Sequence, residues 1–343
     1  MERSILLVYT GGTIGMKEDP QTMALAPFDF SHILEEVPEL KKFGYKLDSY
    51  SFDPVIDSSD ANIPFWQEIA RIIEENYTRY DGFVVLHGTD TMSYTASMLS
   101  FMLENLGKPV IFTGSQLPIG MLRTDGKENL ISSIEIAATK YEEDRAMVPE
   151  VCVYFESQLY RGNRTTKYNA ENFRAFRSAN FPVLADVGIH IKFHQELIRY
   201  PKWGKEFKVH YNLDRNVAIV KVVPGMNTDL LTVLTKVEGL RGVILETFGS
   251  GNAPTSKEFI DAVKVLVDAG LIVVNVTQCH AGRVDMDAYA TGVALKHIGV
   301  ISGEDSTIEA ALTKLYFLMG RYNDNKDVKE SMEKNIRGEI SKL

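Results

Sequence analysis

The chain has 343 residues, a length at which two domains are the starting expectation. Apolar residues make up 45% and charged residues 24%, the mix of a globular protein with a sizeable core, which excludes extensive disorder. With 37 basic against 46 acidic residues, a formal net charge of −9 and no basic tract, a nucleic-acid backbone is excluded as the main partner.

In chain order, SILLVYT (4–10) is an apolar run that breaks at once into glycines; at ~6 residues it is too short for a signal-peptide core. No later stretch nears the ~20 apolar residues of a membrane helix. PFWQEIARIIEENYTRY (64–80) places Pro64 near a helix start and Ile69, Ile72 and Ile73 on one face. GFVVLHG (82–88) reads as a buried strand, and SYTASMLSFMLENLG (93–107) as a helix capped by Gly107. KPVIFTG (108–114) is a third strand, so the alternation predicts a parallel α/β sheet. Near residues 195–215 the pattern lapses into polar, turn-prone chain. Strands are then expected at 217–223, 240–249 and 270–279, with helices near 227–238, 256–269 and 307–320, a second and smaller α/β domain. Cys152 and Cys279 lie in apolar segments, which predicts two buried thiols in a reducing, cytoplasmic setting.

Ligands of open parallel sheets gather at the carboxyl ends of the strands. Here those ends read TGGTIG (10–15), DSSD (57–60), HGTDT (87–91) and TGSQLP (113–118), a collection of hydroxyls and carboxylates. TGGTIG lacks the glycine pattern of dinucleotide folds and the Gly-Lys-Ser/Thr of nucleotide triphosphatases, and GSGNAP (249–254) has Pro254 in place of the last glycine. Taken singly, Thr13 and Asp90 can each do no more than cap a helix. A threonine nucleophile needs a base, and a lysine desolvated beside a hydroxyl and a carboxylate can serve. No Gly-x-Ser-x-Gly elbow is present. His190 and His194 fall in an extended segment with no third ligand, so no metal site is expected.

TGGTIG and LHGTDTM (86–92) together, with DSSD, TGSQLP, YRGNRTTK (160–167), GNAP (251–254) and YATG (289–292), resemble the bacterial-type L-asparaginases of the cytoplasmic type I branch over almost the whole chain. The resemblance implies a larger N-terminal flavodoxin-like domain with a mainly parallel sheet (1–195), a linker (196–215) and a smaller C-terminal α/β, Rossmann-like domain (216–343). It implies an L-asparaginase that needs no cofactor and assembles as a homodimer or homotetramer, with L-asparagine as its small-molecule partner. Thr13 would attack the side-chain amide, with Thr89, Lys167 and Asp90 as a second hydroxyl–lysine–carboxylate group able to activate a hydroxyl or the hydrolytic water. Asp57, Ser58, Ser59 and Asp90 would hold the α-amino and α-carboxylate groups, and the backbone around Gly88, Thr89 and Ser115 the developing oxyanion. Asn252 matches a position that relatives supply to a neighbouring subunit.

Two departures stand out. The loop KEDPQTMALAPF (17–28) lacks the tyrosine that commonly assists the nucleophile, and Met23 or Ala24 falls in its place. Glu246 stands where a basic residue would be needed to hold an effector carboxylate, which argues against activation by the substrate. Asparagine and glutamine differ by one methylene, ~1–3 kcal/mol of discrimination, so preference between them is the softer expectation. A rival enzyme is the ammonia-producing subunit of a glutamyl-tRNA amidotransferase. Such subunits carry an additional N-terminal domain and a tRNA surface, against which stand a first motif at residue 10 and the net charge of −9. A rival of another class, an amino-acid-sensing module without turnover, would need neither Lys167 nor two threonines.

Overall fold

The computed structural model describes residues 3–18, 25–27, 33, 37–202, 204–288 and 290–341. Met23, Ala24 and Tyr289 lie outside the described residues. The chain divides into two compact units: residues 1–178 with 182–211, and residues 179–181 with 212–343. No helix among the described residues is long and apolar enough to cross a membrane.

The strands of the first sheet are β1 (Ser4–Tyr9), β2 (Lys46–Ser51), β3 (Gly82–Leu86), β4 (Val110–Thr113), β5 (Val151–Phe155), β6 (Gln158–Arg161), β7 (Ala185–Val187) and β8 (Ile191–Phe193). Their order among the described residues is β8-β7-β6-β5-β4-β3-β1-β2. Strands β2, β1, β3, β4 and β5 run parallel, the flavodoxin order, and β6 to β8 add an antiparallel flank. The continuous apolar runs are explained by burial on both faces: every residue of β3, β4 and β5 is buried. Edge strand β2, largely exposed, carries Lys46 and Asp48, charges that oppose further strand addition.

Helix α1 (Ile63–Asn76) begins where Asn62 Oδ1 accepts from Phe65 N at 3.1 Å, and it buries Phe65, Trp66, Ile69, Ala70, Ile72 and Ile73. Helix α2 (Met92–Met102) is buried at every residue except Tyr94, and its Thr95 Oγ1 accepts from Trp66 Nε1 at 3.0 Å. It ends earlier than expected, so Gly107 is not its cap. Leu103 and Glu104 instead pair with Val209 and Lys208, an exchange the local pattern does not encode. Through that pairing the chain expected as linker is built into the first unit as far as Tyr211. Helix α3 (Gly126–Ala138) covers β1, β3 and β4.

The second unit holds four parallel strands in consecutive order: β9 (Val217–Lys221), β10 (Gly242–Thr247), β11 (Ile272–Thr277) and β12 (Ile301–Ser302). Helix α4 (Asp229–Val233) runs straight into a 3-10 turn (Leu234–Lys236), which together fill most of the expected helix. Helix α5 (Lys257–Asp268) starts on a Ser256 cap and packs Phe259, Val263 and Leu266 over Val243, Leu245 and Val273. Helices α6 (Ala290–His297), α7 (Ile308–Arg321) and α8 (Asn325–Met332) complete the unit. Lys314 of α7 is fully enclosed, donating to the carbonyls of Met332 and Lys334 at 2.7 and 2.6 Å and pairing with Glu339 at 2.6 Å. Burial pushes the Lys314 ammonium below its ordinary value; burial also raises Glu339, but the facing lysine charge leaves that carboxyl lowered. Cys152 is buried with its thiol pushed well up by burial, whereas Cys279, expected inside, is exposed because it lies beyond the end of β11.

Candidate active site

The first sheet reverses its winding between β1 and β3, since β2 flanks β1 on one side and β3 on the other. The chain therefore goes from β1 and from β3 toward opposite neighbours, and open parallel sheets bind their ligands in the crevice outside the strand carboxyl ends at such a reversal. TGGTIG leaves β1 there and HGTDT leaves β3. Both the N–H and the hydroxyl of Thr10 donate to Leu86 O at 3.0 Å, and His87 N donates to Thr113 O at 2.9 Å, which locks the three strand ends in register.

Three loops meet around two glycines. Gly12 has φ +90°, and a Cβ there would stand 2.6 Å from both Cα and N of Gly88. A Cβ on Gly88 would in turn stand 2.5 Å from Ser58 Oγ. The turn carrying Thr13 and the turn carrying Thr89 are thus in backbone contact, and the Ser58 side chain of the DSSD loop packs directly on Gly88. Thr13 opens a short 3-10 turn (Thr13–Gly15) whose N-cap is Gly12 with no side-chain capping bond, so its hydroxyl is not spent on a cap. That hydroxyl has no hydrogen-bond partner among the described residues. Below the turn the buried Tyr9 phenol donates to Gly12 O at 3.5 Å, and burial pushes it up to about 12, which keeps it neutral in ordinary buffers.

Thr89, Asp90 and Lys167 come together although the lysine is far away in sequence. Lys167 Nζ donates to Thr89 Oγ1 at 2.9 Å and to Asp90 Oδ1 at 2.5 Å. Asp90 caps no helix: the N-cap of α2 is Thr91, and no side-chain cap bond is made there. Lys167 reaches the site from a two-residue strand (Thr166–Lys167) paired with Phe176–Arg177. Its side chain is 18% exposed against 68% for Asp90, so a lysine drawn out of water meets a carboxylate that stays in it.

In the DSSD loop Asp57 Oδ1 accepts from the N–H and the hydroxyl of Ser59 at 2.9 and 2.5 Å. The Ser59 hydroxyl and N–H hold the Asp57 carboxyl below the usual range. Ser58 is buried under Gly88, and its carbonyl accepts from Thr91 Oγ1 at 2.6 Å. The Ser115 hydroxyl is turned into its own loop, donating to Leu117 O at 2.5 Å. Asn252 belongs to the second unit, on the turn after β10, where its Oδ1 accepts from Thr291 Oγ1 at 3.1 Å. Glu246, on β10, is half-buried. His190 and His194 form no cluster; His194 Nε2 contacts Asp186 Oδ2 at 2.9 Å.

Sequence reasoning passed over two residues inside its own motifs. His87 is fully buried between Phe65 and Phe112, at 5.4 and 6.0 Å between ring centres. Its Nδ1 lies 2.6 Å from Gly88 O, which can only accept, so Nδ1 carries the proton and Nε2 is left without a partner among the described residues. Burial brings His87 down to about 4, so a neutral ring fixes the peptide behind Thr89. Gln116 bonds Thr89 on one side and the carbonyls of Ala170 and Asn172 on the other. A polar residue standing at a strand end, inside a motif already singled out, was the available signal for both.

Residues 4–199 match the asparaginase N-terminal family model, and residues 216–332 the glutaminase/asparaginase C-terminal domain. The chain belongs to the asparaginase family. It is 42% identical over 341 residues to L-asparaginase 1 of Escherichia coli K12, spanning 99% of this chain and 98% of that protein. The crystal structure of L-asparaginase I from Vibrio cholerae O1 matches it with a TM-score of 0.88 at 39% identity, over 99% of this chain and 100% of that one. The thermostable L-asparaginase from Thermococcus kodakarensis matches with a TM-score of 0.89 at 31% identity, again over 99% of this chain and 100% of that one.

Proposed function

We propose that this protein hydrolyses the side-chain amide of L-asparagine to L-aspartate and ammonia through an acyl-enzyme on Thr13. Thr13 Oγ1 attacks the amide carbon while its proton passes to the Thr89–Lys167–Asp90 group. The C–N bond then breaks, and nitrogen takes that proton and leaves as ammonia. Water, deprotonated by the same group, attacks the ester carbon; the C–O bond to Thr13 breaks, the proton passes from the group to Thr13 Oγ1, and aspartate is released. Backbone N–H groups around Gly88, Thr89 and Ser115 hold the oxyanion, a contribution of roughly 3–4 kcal/mol per donor where such donors have been removed. Asp57, Ser58, Ser59 and Asp90 take the α-ammonium and α-carboxylate, with Asn252 supplied to the site of a neighbouring subunit. The low-lying Asp57 carboxyl suits the cation.

The observation that supports this reading is the Gly12–Gly88 backbone contact between the turn that carries Thr13 and the turn that carries Thr89, itself bonded to Lys167. The names of the E. coli and V. cholerae relatives support the amide chosen. The protein is further assigned to the cytoplasm as a homodimer or homotetramer. Free thiols at Cys152 and Cys279 support the reducing compartment. Exposed Leu230, Val233 and Val237, close together in sequence, support self-association.

Ammonia release from asparagine, glutamine and D-asparagine over a wide substrate range tests the reading. Turnover of L-asparagine with a hyperbolic dependence is expected. No release at millimolar asparagine would leave an amino-acid-binding module, and a sigmoidal curve would overturn the expectation drawn from Glu246.

A further inference from the structure

We infer that Gln116 is a positioning residue that sets the direction of the hydrogen bonds between Thr89 and Lys167, and so decides when Lys167 can receive the Thr89 proton. This rests on the role proposed above for the Thr89–Lys167–Asp90 group.

The direction follows from donor and acceptor counting. Gln116 Nε2 lies 3.2 Å from Ala170 O and 3.2 Å from Asn172 O. Carbonyls only accept, so the amide must turn its NH₂ toward both of them and its oxygen toward Thr89. Oε1 lies 3.3 Å from Thr89 Oγ1 and also only accepts, so the single hydroxyl proton of Thr89 points at Gln116. What Thr89 offers Lys167 is a lone pair, and Lys167 is the donor in its 2.9 Å bond to Thr89 and its 2.5 Å bond to Asp90. For Lys167 to take up the Thr89 proton, that hydroxyl must leave Gln116: the O–H bond of Thr89 breaks, an N–H bond forms on Lys167, and the threonine oxygen recovers a proton from the attacking hydroxyl. At 3.3 Å the bond to Gln116 is longer than an ordinary hydroxyl bond of ~2.7–2.8 Å, so releasing it costs little.

The amide is held in this orientation from both ends. The Gln116 N–H donates to the two oxygens of Asp125 at 3.1 and 3.0 Å, and Asp125 also accepts from Leu117 N at 3.2 Å and Asn129 Nδ2 at 3.3 Å. On the far side, Asn169 Oδ1 accepts from Glu171 N and Asn172 N at 2.8 Å, which fixes the carbonyls that Gln116 meets. Gln116 therefore joins the loop after β4 to the loop after Lys167, with Thr89 between them.

The test compares Gln116→Leu and Gln116→Glu with the unmodified protein. Leucine removes the acceptor and frees the Thr89 proton for Lys167, which favours the uncharged amine. Glutamate adds a negative charge one hydrogen bond away, which favours the ammonium. The Lys167 titration, followed by NMR on protein labelled with ¹³C at lysine Cε and assigned with Lys167→Met, is expected to move to lower pH with leucine and to higher pH with glutamate, each by about half a unit or more. The limb of the pH–kcat profile that depends on Lys167 moves with it, while KM for asparagine stays within about twofold. Unmoved titrations, with kcat lowered by one factor at every pH, would show that Gln116 merely supports the loop and overturn the proposal. If the unmodified protein releases no ammonia, the functional reading fails by itself, and the Lys167 titrations still decide the role of Gln116.

Discussion

The two sheets differ by one topological step, and that step accounts for where the candidate site residues gather. In the second unit the strands follow one another in order, β9 to β12, so each loop leaves in the same sense as the last. In the first unit the chain returns to the other side of β1, so β1 and β3 are followed by strands on opposite sides. The second unit is not short of polar parts at its strand ends. Thr247 Oγ1 donates to the buried Asn275 Oδ1 at 2.6 Å, and Asn275 Nδ2 donates to Gly251 O at 3.0 Å. There the polar groups satisfy one another and fix a turn. In the first unit, Thr13 is left uncommitted among the described residues and Lys167 is shared between a hydroxyl and a carboxylate. A winding reversal supplies the crevice, and in the proposed mechanism the groups left uncommitted among the described residues supply the reactivity.

The sharpest way to break this comparison is to remove the shared lysine. Lys167→Met is expected to lower kcat by about 10³-fold, within the 10²–10⁴ range of a lost acid–base group, with KM little changed. A loss below tenfold in steady-state ammonia release would return the crevice to the status of the second unit's turns.

A second contrast lies in acid. His87 has a folded-state value of about 4, below the ordinary 6.5, so stability that depends on its neutral ring is complete above 6.5 and lost as the pH falls from there toward 4. The loss approaches about 3 kcal/mol near pH 4, carried by the first unit. Denaturant titrations between pH 7 and 4 should show this loss diminished in His87→Gln. An identical pH dependence in the variant would remove His87 from the account.

The smallest effects compare two glycines. Gly12→Ala drives a methyl into Gly88 and is expected to cost tens-fold or more in kcat. Gly270, in the second unit, also has positive φ, at +85°, but a Cβ there meets nothing within 4 Å. Gly270→Ala should therefore cost only ~1–2 kcal/mol of stability, measured by denaturation, with kcat intact. Equal kinetic losses in the two variants would mean that Gly12 matters as a turn and not as a contact.

Much of this molecule was legible in its sequence, and the gaps have physical reasons. Continuous apolar runs marked β1, β3 and β4, because burial on both faces leaves no alternation to misread. Helix α1 announced itself through Pro64 and its isoleucine face. The end of α2 did not, because the pairing of Leu103 and Glu104 with chain a hundred residues later competes with the helix. Residues 179–181, which belong to the second unit although they interrupt the first, are invisible to any reading that cuts the chain once. The candidate residues Thr13, Thr89, Asp90 and Lys167 were named from their motifs. The work of His87 and Gln116 was not, because it depends on which lone pairs face which carbonyls.

The central claim is that the hydroxyl on the turn after β1 is the nucleophile. Thr13→Ala, assayed for ammonia release from L-asparagine and for asparagine binding by calorimetry, tests it directly. Turnover is expected to fall by at least about 10⁴-fold while binding stays measurable. Ammonia release within tenfold of the unmodified protein would contradict the claim.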